Sequence, residues 1–200
     1  VQRYREKLIE EIPEIDLLVG TEGVKEIHTF LRGMAEKRSP KMYLPERFLM
    51  DAAMPRTLAT PFYRAWMKIT EGCNNRCSYC MIPSIRGGLR SRSIADLCRE
   101  AIKKKKKGVR ELSLIAQDLT AFGTEKGGTS QLVQLLQQIL ADCEIPWLRL
   151  LYLYPTGITD ELLELMAQNR RIVPYLDIPL QHVSTPVLQL MNRPYTTEFL

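Results

Sequence analysis

An α/β fold with a parallel sheet is what this sequence predicts from residue 66 onward, and three observations predict it. Strand-like and helix-like segments alternate four times, which requires a sheet built through right-handed crossovers. No Asn-Gly hairpin signal interrupts the alternation. A loop with three cysteines follows the first strand, at the end of the sheet where parallel folds place their chemistry. A doubly wound sheet and a β/α barrel both satisfy this pattern.

The elements follow in order. Residues 1–37 read as a helix (RYREKLIEEI), a short strand (IDLLVG) and a second helix (GVKEIHTFLRGM), the tail of a separate α/β domain. In that second helix His28 lies beside an apolar stripe of Val24, Ile27, Leu31 and Met34, and a structural role is expected for it. Residues 38–64 are dominated by the Pro-rich run SPKMYLPERFLMDAAMPRTLATP and read as a linker. Residues 65–200 form the core. WMKIT (66–70) is its first strand, and Ser93 caps the next helix, with Asp96 completing a variant of the capping box. Ile94, Leu97, Cys98, Ala101 and Ile102 form the apolar face of that helix. ELSLIA (111–116) is the second strand, joined by a Gly-rich connection to the helix QLVQLLQQILA. WLRLLYL (147–153) is the third, with Thr159 capping DELLELMAQ. YLDIPL (175–180) is the fourth, and Pro186 sits in the first turn of the helix that follows. A complete barrel needs about 250 residues, so a truncated piece of a longer protein is expected.

Composition limits the function classes. The chain has 200 residues and is 45% hydrophobic, enough to build a core. Its N-terminus lacks the apolar region of a signal peptide, and its longest apolar stretch, WLRLLYLYP, is too short to span a membrane. An odd count of five cysteines suits thiols used for metal or chemistry in a reducing compartment, so a cytoplasmic protein without membrane contact is expected. The net charge of +5 is matched by the single run Lys103–Lys107, which precedes Gly108 and reads as a solvated helix end. Nucleic-acid binding is therefore not indicated.

Cys73, Cys77 and Cys80 lie within ITEGCNNRCSYCMIPSIRGG. Structural zinc wants four protein ligands, and no good fourth is present: Cys98 falls on an apolar helix face, Cys143 follows a distant helix end, and His28 is assigned to structure. Three thiolates suit a four-iron cluster that leaves one iron open to a small molecule. A zinc-binding interaction module is the rival reading. A plain electron-transfer protein would want a fourth cysteine nearby. Arg86, Arg90 and Arg92 follow the loop and are candidates to offset the anionic charge of such a cluster. Gln181 and His182 follow the fourth strand and so face the same mouth.

The Cys-x3-Cys-x2-Cys spacing, with Tyr79 before the last cysteine, resembles the radical S-adenosylmethionine enzymes. KITEGCNNRCSYCMIPSIRGGLRSRSI, AQDLTAFG, YLYPTGITDELLELMA and VPYLDIPLQHVSTPVLQLMNRP resemble the methylthiotransferases among them. Within that family the match is most like the RimO type, which methylthiolates an aspartate of a small-subunit ribosomal protein. The tRNA-modifying MiaB type usually has GQNV and SHP where this chain has Ala116–Leu119 and Leu153–Pro155. The resemblance implies a partial β/α radical SAM barrel with a [4Fe-4S] cluster on Cys73, Cys77 and Cys80 and S-adenosyl-L-methionine at its open iron. It implies cofactor contacts at Tyr79, Gln117 and Asp118, to which Gln181, His182 and Arg92 are added by position. It also implies a second [4Fe-4S] cluster, on three cysteines upstream of Val1, and a C-terminal substrate-binding domain, both only in the full-length protein. A ribosomal-protein substrate and a reducing electron-transfer protein are the partners it implies.

Overall fold

The computed structural model describes residues 1–36 and 41–200, so the expected boundary between residues 37 and 38 lies outside the described residues. The chain divides into two compact units, Val1–Phe48 with Ser84–Arg86, and Leu49–Pro83 with Gly87–Leu200.

In the first unit α1 (Glu6–Glu11) precedes β1 (Leu18–Val19), and a 3-10 turn at Thr21–Glu26 leads into α2 (Ile27–Ala35). β1 pairs in parallel with β2 (Met42–Tyr43), which falls inside the Pro-rich stretch expected to be a linker. The stripe beside His28 does not form a core: Val24, Ile27 and Leu31 are exposed, as is His28, whose Nε2 lies 3.3 Å from the Thr29 hydroxyl.

The second unit contains β3 (Arg64–Lys68), β4 (Thr70–Glu71), β5 (Arg90–Ser91), β6 (Glu111–Ile115) and β7 (Trp147–Leu150). Its helices are α3 (Ile82–Arg86, which straddles the division), α4 (Ile94–Lys106), α5 (Thr124–Gly127), α6 (Leu132–Asp142), α7 (Asp160–Gln168) and α8 (Thr185–Leu190). β3, β6 and β7 form one parallel sheet in that order, with Ala65 opposite Leu112 and Leu112 opposite Leu148. Side chains alternate across a strand. Ala65, Met67, Leu112, Leu114, Leu148 and Leu150 therefore share one face, fully buried in a cluster with Leu97 and Ala101 of α4, Leu135, Leu136 and Ile139 of α6, and Leu162 of α7.

The opposite face is polar. It carries Arg64, Trp66, Glu111, Ser113 and Arg149, with Glu111 2.7 Å from Arg149 and 3.6 Å from Arg64. A doubly wound sheet is covered by helices on both faces. Crossover helices confined to one face of a parallel sheet are the arrangement of a β/α barrel wall.

The expected caps form. Ser93 Oγ accepts the Asp96 amide at 3.2 Å and Thr159 Oγ1 the Leu162 amide at 3.3 Å. Asp96 does not return the bond as a capping box would: its Oδ1 accepts the Ala52 amide at 3.0 Å and its Oδ2 binds Arg92. The lysine run closes α4 as expected, but only part of it is solvated. Lys103 donates to the Ala52 carbonyl at 2.7 Å, and Lys104 is buried 3.3 Å from Glu100.

Two departures concern strands. Residues 175–180 form no fourth ladder: a single parallel bridge joins Leu148 to Ile172, and Leu153 then donates to the Asp177 carbonyl at 2.9 Å. Pro174 and Pro179 carry no N–H and break any ladder there. β4 and β5 pair antiparallel, an addition the alternation did not foretell. Among the described residues no helix is long and apolar enough to cross a membrane.

A three-cysteine cavity at the mouth of the sheet

β4 and β5 pinch together the two ends of the segment that carries the cysteines, with Thr70 opposite Ser91 and Glu71 opposite Arg90. Directly after the pinch, Gly72 adopts φ +73, and a Cβ there would lie 2.2 Å from the Gly88 carbonyl oxygen. Only glycine permits that approach. Cys73 donates its amide to the Gly87 carbonyl at 3.2 Å, and the Asn74 side chain accepts the Leu89 amide at 2.9 Å. The Gly-Gly pair after α3 is thus the floor of the cysteine loop.

The loop is held from two further directions. Asn75 donates to Asp118 Oδ2 at 2.7 Å, tying it to the end of β6. From the segment after α8, Asn192 donates to the Arg76 carbonyl, while Ser78 gives its amide to Met191 at 3.1 Å and its hydroxyl to Leu190 at 2.9 Å.

All three cysteines are free thiols and line one open cavity with about 210 Å³ of water-accessible space. Tyr79, Gln117 and Gln181 line it too, as do Tyr152, Tyr154 and Arg193. Burial pushes the Cys73 thiol pKa up, the Asn75 amide opposes that, and the Asp118 charge adds to it. Backbone amides face two of the sulfurs: Asn75 N is 3.4 Å from Cys73 Sγ and Ile82 N is 3.4 Å from Cys80 Sγ. Such donors favour thiolate over thiol.

Among the described residues no three His, Cys, Asp or Glu side chains converge on a single metal ion. In a four-iron cluster each thiolate takes a different iron. The donor set, three thiols around one cavity with amides on their sulfurs, fits the cluster. Gln117 Oε1 and Arg193 Nη1 are both buried with no hydrogen-bond partner, one an acceptor and one a donor. Buried polar atoms are normally paired, so Gln117 Oε1 fits a ligand that presents a donor, as an amino-acid ammonium does, and Arg193 Nη1 fits one that presents negative charge.

Of the residues expected here, Cys73, Cys77, Cys80, Tyr79, Gln117 and Gln181 meet at the cavity. Asp118, His182 and Arg92 do not line it. Asp118 is buried and spent on the Thr120 hydroxyl at 2.6 Å, the Ala121 amide at 3.2 Å and Asn75. His182 is exposed and uses Nδ1 to accept the Ser184 amide at 2.9 Å, which closes the turn before α8. Arg92 is buried against Asp96, Glu100 and the Lys68 carbonyl, because its place at the start of α4 turns it toward that helix's own acids. Arg90 belongs to β5, and Arg86 is grouped with the first unit. Cys98 and Cys143 are buried away from the cavity, as expected. Sequence reasoning missed Arg193, Asn75 and Asn192. Only the juxtaposition of remote segments reveals the first and last, while the position of Asn75 between two of the cysteines was a usable signal.

Residues 67–200 match the Radical SAM superfamily. The chain is 59% identical over 196 residues to a Desulfotalea psychrophila protein named ribosomal protein uS12 methylthiotransferase RimO, covering 98% of this chain and 44% of the relative. A Pelotomaculum thermopropionicum protein of the same name is 50% identical over 192 residues, covering 96% of this chain and 43% of the relative. The chain thus spans less than half the length of the curated relatives it matches. Among solved structures it resembles the radical S-adenosylmethionine methyltransferase TsrM from Kitasatospora setae, with TM-score 0.55, 19% identity, and coverage of 72% of this chain and 31% of that one. That likeness concerns the fold, a partial radical SAM barrel.

Proposed function

The chain belongs to the radical SAM superfamily, and we propose that it is the core of an enzyme that methylthiolates the β-carbon of an aspartate in ribosomal protein uS12. The observation that carries the reading is the meeting of three free cysteines and two orphaned buried polar atoms around one cavity. The names of the relatives support the substrate. We further propose that residues 1–37 are the end of an N-terminal methylthiotransferase domain, that 38–64 connect it, and that 65–200 are the radical SAM core.

Cys73, Cys77 and Cys80 would hold a [4Fe-4S] cluster, with S-adenosylmethionine at its open iron. When bound, these groups supply one-electron cleavage of the sulfonium bond and hydrogen abstraction from an unactivated carbon. The protein's work is orientation. Gln117 Oε1 would accept from the methionyl ammonium. Tyr79 forms the wall beside the third cysteine, and its hydroxyl is fixed by Arg193 at 2.6 Å. Tyr152 and Gln181, both at positive φ on the cavity wall, would shape the space for the nucleoside. Sulfur delivery through a second cluster, and electrons from a reducing protein partner, belong to the longer protein; the reaction itself would take place in the cytoplasm.

Two measurements test this. The anaerobically reconstituted chain should carry about four iron and four sulfide with broad visible absorbance; one colourless zinc would refute the cluster. In a strain lacking the full-length gene, uS12 should lose its methylthio mark while tRNA keeps its own. The reverse result would assign the enzyme to tRNA.

A further inference from the structure

Arg193 is 7% exposed, yet two thirds of its guanidinium is already used. Its Nε and Nη2 lie 3.2 and 2.6 Å from the Tyr79 hydroxyl, and its plane sits 4.7 Å from the ring centre of Tyr154 and 5.9 Å from that of Tyr195. Nη1 is buried without a hydrogen bond of good geometry, although the guanidinium also has a polar interaction with the Tyr154 hydroxyl. A guanidinium stripped of water is costly unless an anion answers it. Among the described residues Arg193 is also the one cation on the cavity wall, since Arg92 is locked into its ion pairs with Asp96 and Glu100.

The charge cannot drift. Asn192, at φ 53, donates to the Arg76 carbonyl between Cys73 and Cys77, and Ser78 clasps Leu190 and Met191. Arg193 is thereby tied to the loop that carries the sulfurs, through contacts at Arg76 and Ser78, one residue either side of Cys77.

We propose that Arg193 is a positioning residue that donates through Nη1 to the anionic cluster held in this cavity and so raises its reduction potential. The inference rests on the reading that these cysteines hold a cluster. Reduction adds negative charge to an already anionic centre, and a fixed neighbouring cation favours the reduced form. Hydrogen bonds to the sulfurs act in the same direction. Tyr79 then has a task of its own, since its hydroxyl aims the guanidinium.

The test is a redox titration of the cluster on Cys73, Cys77 and Cys80 in the absence of S-adenosylmethionine. Arg193→Gln should keep its iron and become about tenfold harder to reduce, or about 59 mV more negative for one electron. Arg193→Lys, which keeps the charge, should recover most of the shift. An unchanged potential in the Gln variant overturns the proposal. So does a variant in which only S-adenosylmethionine affinity falls, because the anion would then be the methionyl carboxylate. Should the Gln variant fail to load iron, pulsed EPR of the parent grown on ¹⁵N-arginine decides. A guanidinium nitrogen coupled to the reduced cluster, and lost in Arg193→Lys, supports the proposal, and no such coupling overturns it. A parent that loads no cluster at all sinks the underlying reading as well.

Discussion

Asp118 holds the cysteine loop without entering the cavity: its two oxygens divide between Asn75 on the loop and Thr120 at the end of β6. Asp118→Ala should therefore leave the fold intact but let iron escape several-fold faster, read as the rate of iron transfer to a chelator. A carboxylate acting as an iron ligand would instead change the cluster's spectrum. Cys77 and Cys98 form the sharper contrast. Burial raises the Cys98 thiol to about 11, so it stays protonated at neutral pH, and it lies away from the cavity that Cys77 lines. Cys77→Ala should abolish cluster loading and Cys98→Ala should preserve it, both measured as iron per chain after anaerobic reconstitution. The opposite pattern would move the ligand set.

At the scale of elements, the polar face of the sheet sets a pH dependence. Glu111 sits between Arg149 and Arg64, and the Arg149 hydrogen bond, outweighing burial, holds its carboxyl below 4.5. A depressed pKa contributes stability that is present above about 4.5 and is lost as pH falls through the lowered value. Glu111→Gln should lower Tm at neutral pH and flatten its decline on acidification, followed by thermal melts across that range. The helices around this sheet were legible because 3.6-residue periodicity and caps are local: Ser93 and Thr159 cap where expected, and Asp160–Gln168 begins and ends where the apolar pattern does. The fourth strand was not, because its apolar residues fit a strand pattern while Pro174 before it and Pro179 within it lack the N–H groups a ladder needs. β2, β4 and β5 span two residues each, too few to carry a period. The site was half legible. The cysteines announce themselves by spacing, but whether Arg92 or Arg193 faces them depends on which way a helix start and a remote loop turn. Gly72→Ala should show how far the short β4–β5 pinch matters, with cluster loading reduced in proportion to loop distortion and far-UV circular dichroism unchanged.

Over the whole molecule, the lysine run reads as a charge cluster but acts in parts. Lys104→Gln removes one of the cations on Glu100, which keeps Arg56 and Arg92, and should cost about 1 kcal/mol in denaturant titration. Lys106→Gln, at the surface, should cost almost nothing. Equal losses would mean that the run works as one patch. The fastening of residues 76–78 by residues 190–192 spans more than a hundred residues of chain. Closing so long a loop is slow and entropically unfavourable until intervening structure forms. During synthesis the three thiols emerge from the ribosome early, while the clasp that orders them follows about a dozen seconds later at ordinary elongation rates. For that interval the cysteines are an open chelator on an unfinished chain, exposed to whatever metal or oxidant reaches them first. On the proposed ligand set, iron–sulfur insertion would be a late event in the life of this polypeptide, with those sulfurs having to stay reduced and empty until residues 190–192 have closed over them.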